Sequence, residues 1–98
     1  MKQGFVYIMA NNKPVLYTGV TSNLVQRVYQ HKNHIVKGFT ARYNLHKLVY
    51  YEVLDTIESA IFREKQIKDM NRNEKLEMIR KFNQNFDDLY GKILDKPE

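Results

Sequence analysis

The stretch Val6–Gly19, VYIMANNKPVLYTG, decides the fold. β-branched and aromatic residues flank NNKP, which is turn material, so Phe5–Ala10 and Val15–Gly19 are read as the two arms of a β-hairpin. Each arm carries a tyrosine, Tyr7 and Tyr17. An odd-length loop such as Asn11, Asn12 and Lys13 sets these phenols directly opposite each other on one sheet face, whereas an even loop sends them to opposite faces. Cross-strand tyrosines are more often packing than chemistry, so the pair gains meaning only from its surroundings.

Beyond the hairpin, Thr21 and Ser22 offer N-caps for a helix running to about His34, with Gly38 closing it off. A loop, GFTARYN, follows. Lys47–Leu54, KLVYYEVL, is apolar on both of its alternating faces, as a strand covered on both sides would be, and is expected at or near the centre of the sheet. Asp55, with Glu58 three residues on, reads as a capping box for a second helix reaching about Met70, and a third spans about Asn73 to Phe82. The order β-β-α-β-α-α predicts an α/β (α+β) sandwich, a small three-stranded, mostly antiparallel sheet flanked by helices. With 98 residues, 43% of them hydrophobic, the chain suits one domain with one core, from about residue 5 to residue 89, and a frayed DKPE end.

The absence of cysteine excludes disulfides and thiolate metal sites and fits a cytoplasmic setting. No run approaches the ~18 apolar residues of a membrane span, and no signal-peptide pattern is present. Charge is distributed unevenly. Residues 1–51 hold seven Lys or Arg and no Asp or Glu, whereas residues 52–98 hold nine basic and eleven acidic side chains. An acid-free half interleaved with tyrosines makes the kind of surface that meets a phosphate backbone.

Polar residues also fall where the core should be. On the first helix the inward stripe is Leu24, Val28 and Ile35, and it contains Arg27 and His31, an i, i+4 pair able to reach one point in space. The second helix turns Ile57, Ala60, Ile61 and Ile67 inward, and position 64 on that stripe is glutamate. An unpaired buried carboxylate costs several kcal/mol, so Glu64 needs a cation, a metal or an open end of the sheet. An ion pair with Arg27 and a position at the stripe's solvated margin are both compatible with the pattern. In the odd register, two phenols, a guanidinium, an imidazole and a carboxylate converge on one spot, with Tyr7 and Glu64 on the same side of the sheet.

The ordered set VYI (Val6, Tyr7, Ile8), YTG (Tyr17, Thr18, Gly19), TSNLVQRVYQHK and AIFREKQIK resembles the GIY-YIG nuclease domain, in particular its small stand-alone bacterial members. The likeness extends from Phe5 to about Leu89. Val6 replaces the first motif's glycine and Thr18 the usual isoleucine, while Gly19 keeps the second glycine. The resemblance implies a divalent-metal-dependent endonuclease hydrolysing phosphodiester bonds, with Tyr7, Tyr17, Arg27, His31 and Glu64 as catalytic positions and Glu64 as ligand to Mg²⁺ or Mn²⁺. A further family asparagine has three candidates, Asn71, Asn73 and Asn83.

DNA is the expected substrate and RNA the alternative, with sequence specificity low or set by substrate shape or a protein partner. Lys37, Phe39, Arg42 and Tyr43 combine charge with aromatic faces suited to a backbone contact and to stacking on an unpaired base, and Lys13, Lys32 and Lys47 extend the positive surface. Against the nuclease stand a non-catalytic nucleic-acid-binding module on the same scaffold and a protein-interaction domain.

Overall fold

The computed structural model describes residues 2–94; the DKPE end lies outside them. The chain runs β1 (Gly4–Ala10), β2 (Leu16–Thr21), α1 (Leu24–Lys32), α2 (Phe39–Arg42), β3 (Lys47–Leu54), α3 (Ile57–Asp69), α4 (Arg72–Phe82) and α5 (Tyr90–Leu94). The six elements expected from the sequence are present in order, and the short helices α2 and α5 are additional. The sheet has the order β2-β1-β3, and both pairings are antiparallel.

β1 is the central strand and is buried on both faces. Val6, Ile8 and Ala10 join Ala60 and Ile67 of α3 and Ile79 of α4 in one cluster, while Tyr7 and Met9 join Leu24 and Val28 of α1 and Leu89 and Ile93 on the other face. Each fully buried aliphatic side chain contributes about 1.5–3 kcal/mol, so this one strand anchors both halves of the sandwich.

β3 lies at the edge, not at or near the centre where its two apolar faces had placed it. Two features make an edge strand look central. A bulge opposite Ile8 and Met9 lets Val49 and Tyr50 both point toward α3 and α4, while Leu48 and Tyr51 pack on the α1 side. The segment after α4 then covers the open edge at Leu48 and Val49. Leu89 N–H donates to Leu48 O at 2.8 Å, Leu48 N–H to Asp88 Oδ1 at 3.1 Å, and Asn83 Nδ2 to Val49 O at 3.0 Å. These bonds occupy groups that would otherwise offer a pairing edge.

The hairpin loop spans residues 11–15 rather than three residues. Pro14 has no N–H to give a ladder, and Asn11 closes the loop by accepting from Lys13 N–H at 3.1 Å and Val15 N–H at 2.8 Å through Oδ1. The loop is still odd, so Tyr7 and Tyr17 share a face. They are offset along it, however, with Tyr7 opposite Gly19 and Tyr17 opposite Met9.

The helix starts also differ by a residue or two from expectation. Asn23, not Thr21 or Ser22, caps α1 by accepting from Gln26 N–H, and Thr56, not Asp55, caps α3 by accepting from Ser59 N–H. α4 begins with a full capping box between Asn71 and Glu74. α1 stops at Lys32, which leaves Ile35 beyond it and 58% exposed, and Ile61 is 41% exposed on the outer side of α3.

Near β3, Glu52 takes a bidentate contact from Arg63 and a hydrogen bond from the Tyr50 hydroxyl. Burial works to raise the Glu52 carboxyl, but these donors hold it below the ordinary carboxylate range, so Arg63 is committed to structure on the α3 face.

Candidate active site

His31 is fully buried on α1, where an imidazole must find partners for both ring nitrogens. Nε2 lies 2.8 Å from the Tyr7 hydroxyl and Nδ1 lies 2.9 Å from Thr40 Oγ1. Thr40 is itself buried and comes from α2, in the segment read from sequence as a loop. Gly38, at φ 106°, makes the left-handed entry that lets this short helix turn its threonine inward. Sequence reading missed Thr40. The usable signal was the requirement that a histidine on an apolar helix stripe have a second polar partner.

Around this chain of three groups sit the other candidates. The Tyr17 ring is 6.4 Å from the Tyr7 ring and 5.7 Å from the His31 ring, centroid to centroid. Arg27, one turn before His31, donates from Nη1 to Gln30 Oε1 at 3.2 Å and places its charge beside both Tyr7 and His31. Burial pushes the Tyr7 phenol up to about 12; Arg27 acts against that rise, and Tyr17 and Glu64 add to it. Burial, helped by Arg27, lowers His31 to about 4. At neutral pH the resting pair is therefore a neutral phenol and a neutral imidazole.

Tyr7 and Glu64 do not issue onto one side of the sheet as expected. Tyr7 belongs to the face covered by α1, and Glu64 to α3, which covers the opposite face. They approach each other around the outer strand β2. Gly19 has no side chain, and the Tyr7 ring lies across it; a Cβ at residue 19 would sit 2.5 Å from the Tyr7 hydroxyl. The Glu64 charge is felt at that phenol. A cavity of about 330 Å³ at the same strand is lined by Tyr17 and Phe39 from the α1 side and by Lys68 and Lys75 from helices on the other. The arrangement straddles an edge strand, with the phenols and imidazole on one flank and the carboxylate on the other.

Glu64 makes no ion pair with Arg27. Its side chain is 15% exposed and pairs with Lys68, one turn on, at 3.2 Å, while the Lys68 side chain is 52% exposed and able to swing away. Among the described residues no three His, Asp or Glu side chains gather as a metal-ligand set. A single accessible carboxylate still suits Mg²⁺, which commonly takes one or two protein carboxylates and keeps several waters. The donors present thus fit a largely hydrated cation held by Glu64.

Val6, in place of the first motif glycine, fills the α3-side core, and Thr18 is buried on that same face. Asn71 caps α4 and Asn83 is held by Val49, Asp87 and the edge of β3, so both are occupied with structure; Asn73 is exposed on α4. Two of the expected surface cations are likewise occupied. Lys32 donates to Asp88 and to His46 O, and Lys47 donates to Phe86 O at 3.2 Å. Lys13, Lys37 and Arg42 remain exposed, as do Phe39 and Tyr43.

The buried imidazole has a measurable consequence. A histidine near 6.5 when unfolded and about 4 when folded binds more protons in the unfolded state, so its contribution is complete above about pH 6.5 and is lost as pH falls toward 4. Between pH 7 and pH 5 the loss is about 2 kcal/mol. Glu52 and Asp88 act at lower pH, because ordinary carboxyls protonate only near ~4. Urea unfolding of a His31→Gln variant should lack this step; an equal step in the variant would refute the assignment.

A model of the GIY-YIG catalytic domain matches residues 3–77. Over 84 residues, 82% of this chain and 93% of its relative, the sequence is 36% identical to a UPF0213 protein of Syntrophus aciditrophicus. Over 75 residues, 76% of this chain and 81% of the relative, it is 39% identical to UPF0213 protein CPE1444 of Clostridium perfringens. The solution NMR structure of UPF0213 protein BH0048 from Bacillus halodurans superposes with a TM-score of 0.57 at 20% identity, covering 97% of this chain and 99% of that one. At that identity the likeness is one of fold.

Proposed function

Because the chain belongs to the GIY-YIG nuclease superfamily, we propose that it is a divalent-metal-dependent endonuclease hydrolysing phosphodiester bonds in DNA, with low sequence specificity or targeting by substrate structure. The observation that carries this reading is the buried Tyr7–His31–Thr40 chain, placed within reach of the Arg27 and Glu64 charges at an open strand edge.

Hydrolysis needs a nucleophilic water, a place for its proton, and positive charge where the phosphorus centre gathers negative charge. With Nδ1–H donating to Thr40, His31 Nε2 is the acceptor for the Tyr7 proton. The Tyr7 oxygen can then take a proton from water as its own moves to Nε2; the hydroxide attacks phosphorus, the ester P–O bond breaks, and the imidazolium returns its proton through Tyr7 or water to the released alkoxide. His31 thereby serves as relay and Tyr7 as the group that touches water. Arg27 presents a planar fork to the non-bridging oxygens, a geometry that lysine does not reproduce. Tyr17, at the mouth of the same edge, donates a hydrogen bond to the phosphate. Mg²⁺ or Mn²⁺ held by Glu64 would supply Lewis-acid polarisation and charge neutralisation at the phosphoryl group.

The Glu64–Lys68 pair favours one competing reading, a nucleic-acid-binding module on this scaffold without turnover. Labelled duplex, flap, branched and single-stranded DNA and RNA, incubated with Mg²⁺ or Mn²⁺ and with chelator, separate the two. Metal-dependent product from DNA is expected. Salt-dependent binding with no product from any substrate would establish the module instead.

A further inference from the structure

α2 and the residue after it carry two aromatic rings that belong to neither core cluster. The segment is anchored by Thr40 and Leu45, both buried, and by a 2.9 Å hydrogen bond from Asn11 Nδ2 to Tyr43 O. Phe39 and Tyr43 are nevertheless 47% and 42% exposed. Their ring centroids lie 4.8 Å apart, Phe39 lies 6.3 Å from Tyr17, and the Arg42 guanidinium stands over the Tyr43 ring at 5.5 Å. A ladder of tilted rings, with 31° between Tyr17 and Phe39 and 49° between Phe39 and Tyr43, therefore leads from the candidate active site out to solvent.

Phe39 also borders two depressions. One, of about 650 Å³, is flanked by Lys37, Arg42 and Tyr43; the other, of about 330 Å³, reaches Tyr17, Lys68 and Lys75. The half of the chain that supplies the ladder has no Asp or Glu, so nothing contributed by that half repels a phosphate backbone. Flat rings continuous with a phosphate site and flanked by cations fit a nucleobase with its face free.

We infer that Phe39 and Tyr43 form a stacking platform for an unpaired base beside a phosphate bound at this edge, so that the preferred nucleic acid is a duplex carrying a single-stranded tail. The inference rests on the reading that this edge receives nucleic acid. Bases inside a duplex already stack on their neighbours and have no face to offer, which makes the platform a selector for tails. Base–aromatic stacking is worth about 1–3 kcal/mol per base, an affinity ratio of about 5- to 150-fold between tailed and blunt DNA.

The test is equilibrium binding in chelator, using a blunt duplex and the same duplex with a short tail containing 2-aminopurine. The parent protein should prefer the tail at least about fivefold and quench the probe. The Phe39→Leu/Tyr43→Leu double variant should bind tailed and blunt DNA within about twofold of each other, whereas Phe39→Trp should keep the preference and report a folded protein. A parent without tail preference, or a double variant that retains it, overturns the platform. Because cleavage plays no part in this measurement, tail preference without metal-dependent product defeats only the nuclease reading, and cleavage without tail preference defeats only this one.

Discussion

A Glu64→Gln variant should cleave DNA at least about 10³-fold more slowly than the parent while melting within about 3 °C of it. The two halves of this expectation have separate origins. Structurally, Glu64 makes one ion pair, with a half-exposed lysine on its own helix, a contact worth about 0.3–0.5 kcal/mol, and glutamine preserves the side chain's shape. Chemically, Glu64 is the carboxylate proposed to hold the divalent cation, and the charge neutralisation such a cation would bring is worth several kcal/mol at the phosphoryl group. Lys68→Ala supplies a control of opposite sign. Its ammonium, 3.2 Å from the carboxylate, competes for the same oxygens, so its removal should lower the Mg²⁺ concentration needed for half-maximal cleavage. Cleavage by Glu64→Gln within threefold of the parent would remove Glu64 from metal binding, whatever the fate of the other positions.

The parts of this site legible in the sequence were those set by periodicity. Parity reduced Tyr7 and Tyr17 to two alternatives, of which the odd loop of the structure selects the shared face, and helical spacing put His31 on the buried stripe with Arg27 one turn away. Long-range choices were not legible. The offset of Tyr7 to Gly19 follows from Pro14, which withholds a donor, and from Asn11, which closes a longer loop with its side chain. β3 read as central because its edge is covered by Asp88 and Leu89, forty residues away, and because a bulge turns Val49 and Tyr50 to the same face. Thr40 was hidden by its place in a segment rich in loop-forming residues. The largest error concerned the sides of the sheet. Residues on helices covering opposite faces were expected to meet on one, and they come within electrostatic reach across the outer strand, where the missing side chain of Gly19 opens room for the Tyr7 ring.

That opening makes Gly19→Ala the sharpest probe of the arrangement, although glycine has no functional group to lose. The added Cβ would lie 2.5 Å from both Cζ and Oη of Tyr7 and 2.9 Å from Cε1, distances no folded protein sustains. Tyr7 is 1% exposed and the hydroxyl that the Cβ would strike is the one bound to His31, so it has little room to move without disturbing that hydrogen bond. Overpacking of this kind costs about 1–3 kcal/mol, and a buried imidazole nitrogen left without its partner costs about 1–3 kcal/mol more. The variant should therefore melt at least about 8 °C below the parent, since 1 kcal/mol shifts a domain of this size by about 4–8 °C. Where it remains folded, DNA cleavage should fall by at least about 10²-fold, because a displacement of about 1 Å at a proton-transfer group is enough for that loss. Adding Tyr7→Leu to Gly19→Ala takes away the clashing atoms, and so should return part of the melting temperature and none of the cleavage. The opposite outcome, in which Gly19→Ala cleaves as the parent does, would mean that Tyr7 does not act from across β2, and the edge-straddling site would have to be abandoned.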